Sequence, residues 1–181
     1  MAEHRYPERT GASPLGPHIT VGLRVPHELP GAAAGLRDYA AKVEAAGIDR
    51  LFTGDHVTFW GGQGFDGLLT ATALAVAAPR LTVQTAVYLL PLRHPVPVAR
   101  QVATLARLAP GRLVFGVGLG GEDPAELRAC GVDPATRGRR MDEALAVLGR
   151  CSPARRSRWT ATSSAWTGSG SCPRRGRPCR S

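Results

Sequence analysis

Three stretches of the chain carry side chains able to do chemistry, and each follows directly on a short apolar run. Gly54-Asp55-His56, with Trp60 close behind, sets a carboxylate beside an imidazole, groups that move a proton near neutral pH beside a reducible ring. The same two residues also read as a helix N-cap and a locally satisfied loop histidine. Gln84-Thr85-Ala86-Val87-Tyr88 runs into Pro91-Leu92-Arg93-His94-Pro95, where Arg93 and His94 read as anchors for the start of a helix. Gly116-Val117-Gly118-Leu119-Gly120-Gly121 leads into Glu122 and Asp123. Gly116, Gly118 and Gly121 have the GxGxxG spacing of dinucleotide sites, but that fingerprint opens a first strand–helix unit and continues into an unbroken helix. Here it follows a fourth strand, and Pro124 interrupts what comes next. The simpler reading is a set of small residues that lets a flat ring or a loop lie close over a strand end.

The elements that must position these stretches alternate. Ile19 to Val25 is short, apolar and β-branched, and Pro26 stops it, which predicts a strand. Residues 32–46 place Leu36, Tyr39, Ala40, Val43 and Ala46 at helical spacing, with Gly47 where a C-cap belongs. Ile48–Thr53 is the second strand, and residues 66–78 the second helix, with Leu68, Leu69, Thr72, Ala75 and Val76 expected on its buried face. Leu81–Leu89 is the third strand, 95–109 the third helix, and Leu113–Val117 the fourth strand. A helical stretch from Pro124 to Leu148 is broken near Gly131 to Pro134. Strands apolar on both faces, alternating with helices, predict a parallel sheet covered by helices, either half of an eight-fold β/α barrel or a small open sheet. Functional residues of such sheets gather beyond the carboxyl ends of the strands, where all three stretches lie.

The formal charge of +9 points first to nucleic acid, but its distribution argues otherwise. Residues 151–181 hold seven of the 23 basic residues and none of the 14 acidic ones, so the rest of the chain is near balance. A single Lys, Lys42, stands against 22 Arg, the mark of a GC-rich genome rather than of a basic function. No apolar run reaches the ~18 residues of a membrane span, and Glu3, Pro7, Glu8 and Pro14 spoil a signal peptide. Cys130, Cys151, Cys172 and Cys179 form no CxxC, so no metal site is expected and a cytoplasmic protein is the default. Cys130 reads as a buried apolar residue, and Arg137, Arg139 and Arg140 with Asp142 and Glu143 as a solvated, ion-paired helix face.

Three segments follow: a flexible lead over 1–17, four β/α units over 18–150, and an Arg/Ser-rich tail over 151–181. The tail contains no Leu, Ile, Val, Phe or Met and is expected to be disordered. One reading makes it an arm that docks on an acidic partner, with Trp159 and Trp166 stacking on bases if that partner is a nucleic acid. The reading we adopt is a shifted frame. Joining the last base of each codon to the first two of the next turns Trp159-Thr160 and Trp166-Thr167 into Asp, since TGG followed by AC contains GAC. GC-rich wobble bases then restore an apolar rhythm with two Leu-Asp-Gly triplets.

The order of segments over 18–150 resembles the luciferase-like monooxygenase superfamily, the flavin- and deazaflavin-dependent β/α barrels. The resemblance is carried by Ala45-Ala46-Gly47, Asp55-His56, Leu92-Arg93-His94-Pro95, Ala99-Arg100-Gln101 with Thr104-Leu105, and Pro110-Gly111-Arg112. The glycine run with Glu126 and Gly131 follows, and then Arg137-Gly138 with Asp142-Glu143. It implies the first half of a TIM-type barrel and a redox enzyme acting on a small organic substrate by hydride transfer or monooxygenation. The implied cofactor is the deazaflavin coenzyme F-420 by preference, or FMN. It implies His56 beside the ring as proton donor or hydrogen bonder and Asp55 holding it or the coenzyme. Ala86-Val87 would form a bulge, often with a cis peptide, that backs the ring. Gly116, Gly118 and Gly120 would keep the fourth strand's end open to it, and Trp60 would line the substrate pocket. Because the family's phosphate contacts come largely from the second half of the barrel, weak or absent coenzyme binding by this chain alone is expected. So is self-association through uncovered half-barrel edges. The alternative function is a non-enzymatic interaction fragment.

Overall fold

A computed structural model describes residues 20–26, 32–58, 65–121 and 123–151. Four strands, β1 (Gly22–Arg24), β2 (Arg50–Thr53), β3 (Thr82–Leu89) and β4 (Leu113–Gly118), form one sheet in chain order. Every neighbouring pair is parallel. Helices α1 (Ala32–Ala45), α2 (Gly67–Ala77) and α3 (Pro95–Leu108) make the crossovers. After β4 come the short α4 (Pro124–Ala129), a 3₁₀ turn at Pro134–Thr136, and α5 (Arg137–Cys151). The expected α/β architecture of parallel units is the one observed, with the breaker at Gly131–Pro134 where the sequence puts it.

The helix-facing side of the sheet supplies the core. Leu51, Val83 and Phe115 pack with Ala71, Leu74 and Ala75 of α2 and with Val98, Val102 and Leu105 of α3. The opposite side reads differently: register sets Phe52 beside Gln84 and Gln84 beside Val114, all half-buried. There the Arg50 guanidinium donates to Gln84 Oε1 at 2.9 Å and to Thr20 Oγ1 at 2.6 Å. This alternation is what a strand period of two produces when only one face is roofed by helices.

Individual residues set the ends of the elements. Asp66 caps α2, its carboxylate accepting from the amides of Leu68 and Leu69, and His94 Nδ1 caps α3 through Val96. Arg112 closes the other end of α2, donating to the carbonyls of Ala75, Ala78 and Leu81. Gly47 and Gly111 turn the chain at φ +77° and +72°, a region in which a side chain is strained.

One expected face is corrected. On α2 the buried residues are Gly67, Leu68, Ala71, Leu74 and Ala75, whereas Leu69 and Val76 are 72% and 71% exposed. The segment carries no charged residue, so its apolar pattern runs all round and cannot mark the buried side. The solvated face expected on α5 also holds only in part. Arg139 and Glu143 form an exposed 3.8 Å pair, while Arg137 and Arg140 are half-buried and donate to the carbonyls of Pro134 and Pro91.

Candidate active site

The carboxyl ends of β2, β3 and β4 meet at one end of the sheet, and two buried carboxylates hold the chain that leaves β2. The first is Asp55, whose side chain is fully buried. It accepts from the amides of Gly67 and Leu89, at 3.0 and 2.9 Å, and takes a two-pronged contact from Arg93 at 2.6 and 2.8 Å. The start of α2, the end of β3 and the turn before α3 are thereby fastened to one residue. Arg93 also reaches Asp66 at 3.2 Å and lies 4.2 Å above the Tyr88 ring. Burial acts to lower the Arg93 pKa, but the charge and hydrogen bonds of Asp55, joined by the charges of Tyr88 and Asp66, outweigh it and the net displacement is upward. Burial pushes the Tyr88 phenol above its ordinary range, Arg93 opposing.

The second carboxylate is Glu126, 2% exposed on α4. One oxygen accepts from the Val57 amide at 2.5 Å and the Thr58 amide at 3.2 Å, and the other meets His56 Nδ1 at 3.2 Å. The carboxylate partner of His56 is therefore Glu126. Asp55, its neighbour in sequence, accepts from Arg93 and from the amides of Gly67 and Leu89, so of the two tasks the resemblance implies for it, holding His56 or the coenzyme, the first falls to Glu126. The reason is geometric: successive residues of an extended chain point to opposite sides.

Sequence reasoning named Glu126 without giving it this task. Asp123-Pro124-Ala125-Glu126 has the spacing of a helix capping box, in which the glutamate would turn back on the helix start. Asp123 does cap α4 through Ala125, but Glu126 reaches across to the β2 loop instead. Leu89, Leu92, Leu127 and Val132 form a small apolar cluster that seats α4 there, with Val87 and Cys130 packed on it. The Cys130 thiol is half-buried, and its pKa is raised by burial and by the charge of Glu126, with Arg93 acting against them.

On β3 the Ala86–Val87 peptide bond is cis, and the register with β4 shifts between Thr85 and Tyr88. The bulge is where the family resemblance implies it. The glycines of β4 answer to this bulge. A Cβ on Gly116 would strike the Thr85 carbonyl oxygen, and one on Gly118 would strike the Val87 side chain. β3 therefore occupies the space beside these two glycines. Gly120, at φ +67°, lies against Leu89, and Gly121, at φ +118°, against Arg137. Trp60 lies outside the described residues, as do the lead over 1–17 and the tail beyond Cys151.

The donor set has room for a flat ring. His56 is 43% exposed at the side chain, Ala86 is exposed and Val87 half-buried on the neighbouring strand. Of the nearby cations, Arg93 is engaged by Asp55 and Asp66, and Arg137 and Arg140 by backbone carbonyls, while the exposed Arg24 lies against Gly54. Among the described residues no group of three or more His, Cys, Asp or Glu is placed to hold a metal. Among the same residues, no helix is long and apolar enough to cross a membrane.

Comparison with known proteins places this arrangement. The chain is 35% identical over 114 residues to 4-hydroxyprotoasukamycin monooxygenase of Streptomyces nodosus subsp. asukaensis, covering 62% of this chain and 30% of that protein. It is 37% identical over 118 residues to the F420-dependent glucose-6-phosphate dehydrogenase of Beutenbergia cavernae, covering 62% and 35%. The chain thus spans about a third of the length of these curated relatives. Among solved structures, the oxygenating constituent of 3,6-diketocamphane monooxygenase from Pseudomonas putida, in complex with FMN, superposes with a TM-score of 0.61. Its identity is 22%, over 72% of this chain and 39% of that one, a likeness of fold. The model of the luciferase-like monooxygenases matches residues 16–176, and the chain belongs to that family.

Proposed function

We propose that residues 18–150 are the first half of a flavin- or deazaflavin-dependent oxidoreductase barrel, with coenzyme F-420 preferred and FMN second. Bound there, the coenzyme would supply hydride transfer or, with dioxygen, monooxygenation of a small organic substrate. The observation that carries the reading is a half-exposed imidazole held by a buried glutamate, one strand away from the β3 bulge. In this reading His56 meets the ring or the substrate, Ala86 and Val87 form the wall behind the ring, and Gly120 closes over Leu89. Asp55 keeps the three loops in place, and Trp60 lines the substrate pocket.

The test has two arms. Residues 1–181, titrated with F-420 and with FMN by fluorescence quenching, should show weak binding or none, and a low-micromolar dissociation constant for either would overturn this account of the half barrel. In a barrel completed by a second half, His56→Ala should lose most of the turnover or weaken coenzyme binding. Unchanged activity and affinity would remove His56 from the site. The sheet order leaves β1 and β4 as edges among the described residues, and Leu69 and Val76 stand out on α2. Purified chain is therefore expected to self-associate, which light scattering behind a sizing column measures.

We also propose that residues 151–181 arise from a shifted frame. Re-reading the gene from codon 145 onward tests this: a one-base change restoring Leu-Leu-Thr-Gly and an open frame supports it, and the absence of any second half in any frame refutes it.

A further inference from the structure

We infer that Glu126 is a positioning residue that fixes the proton of His56 on Nδ1, so that the neutral ring turns a bare Nε2 toward the open side of the site. This rests on the reading of His56 as a site residue. An ionised carboxylate has no proton to give. Glu126 is buried, and its first oxygen is occupied by the amides of Val57 and Thr58, so only the second is left for the imidazole. The 3.2 Å contact with Nδ1 is a hydrogen bond only when Nδ1 carries the hydrogen. Nε2 is then the lone-pair nitrogen, and among the described residues no hydrogen bond to it is recorded. The side chains differ in exposure as this division of labour requires, 3% for Glu126 and 43% for His56.

Two consequences follow. Neutral His56 is a proton acceptor at Nε2 and becomes a donor there only after it has itself been protonated. The same carboxylate holds ring and loop together, because Val57 and Thr58 are the residues next to His56. Glu126 therefore sets where Nε2 sits as well as which nitrogen bears the hydrogen, the task that outer partners of ligand histidines perform elsewhere.

The experiment uses the whole chain, residues 1–181, labelled with ¹⁵N-histidine. Long-range ¹H–¹⁵N correlation spectra taken where the ring is neutral distinguish the two tautomers, and His56→Gln identifies the signal among the five histidines. The wild-type chain should show Nδ1–H. In Glu126→Gln the amide oxygen is needed by Val57 and Thr58, so the NH₂ faces Nδ1 and donates, and the pattern should exchange to Nε2–H. Nε2–H in the wild-type spectrum overturns the inference without need of any variant. So does an Nδ1–H pattern that survives Glu126→Gln in a chain with an unchanged amide spectrum. The functional reading fails separately: an intact Nδ1–H tautomer, with His56→Ala fully active in a completed barrel, leaves the positioning standing and removes the catalytic role.

Discussion

Asp55 and Glu126 are both nearly inaccessible carboxylates, and both hold the chain that leaves β2, yet their hydrogen-bond partners differ in kind. Asp55 faces a guanidinium in a two-pronged contact, and its remaining valences go to amides at the ends of other elements. That arrangement leaves nothing pointing outward, so it does structural work. Glu126 has no arginine among its recorded partners; the group opposite it is an imidazole, which is half open to the outside. A carboxylate closed off by arginine fixes loops, whereas one closed off by histidine passes its influence on to a group that can exchange protons.

Removing the cation from the first site breaks the comparison most strongly. Arg93→Ala leaves the Asp55 charge buried without a cation and should cost about 3–5 kcal/mol, read from urea unfolding. Asp55→Asn in the same chain should recover part of that loss, because no uncompensated charge then remains. If Arg93→Ala costs less than about 1 kcal/mol, the clamp is not the fastening described here.

Glu126→Ala should be milder, about 1–3 kcal/mol, since the amides it abandons belong to residues that water can reach. A cost equal to that of Arg93→Ala would place both carboxylates in the same structural class.

Cys130 reports on the difference without disturbing either site. Its pKa lies above the ordinary value, so the thiolate appears at higher pH than in an ordinary cysteine, and at pH 8 iodoacetamide should react with it several-fold more slowly than with a free thiol. Glu126→Gln removes one of the two causes of that rise and should speed the reaction at fixed pH, by about two- to five-fold. Cys130 lines a cavity of about 250 Å³ together with Leu92, His94 and Arg140. No change in rate on Glu126→Gln would deny that the Glu126 charge reaches Cys130.

The smallest effect belongs to a pair with neither burial nor a second bond. Arg139 and Glu143 are 72% and 65% exposed at the side chain, and Arg139→Ala should change stability by less than about 0.5 kcal/mol.

Most of the fold was legible because its signals are local. Apolar β-branched runs of five to nine residues, helical spacing in 32–46, Gly47 after α1, and the Gly131–Pro134 break all act over a few residues. The structure follows them with shifts of a few residues at the ends. The buried face of α2 was not legible, because an uncharged helix offers no contrast from which to choose a side. The β4 glycines were recognised as a close approach, but their neighbour could not be read from the run itself. It is the bulge of β3, about 30 residues earlier in the chain.

The site shows the same division. Sequence alone determined that Asp55, His56 and the β3 and β4 ends would share one end of a parallel sheet, because parallel strands joined by helices bring all their carboxyl ends to the same side. Only the tertiary structure decided which carboxylate serves which base. Asp55 and His56 are adjacent, but they face different partners. The glutamate that meets His56 stands 70 residues further along, brought there by the apolar seat of a six-residue helix. Hydrogen bonds reach about 3 Å, so the pairing of ionisable groups is set by where folded elements come to rest and not by their distance along the chain.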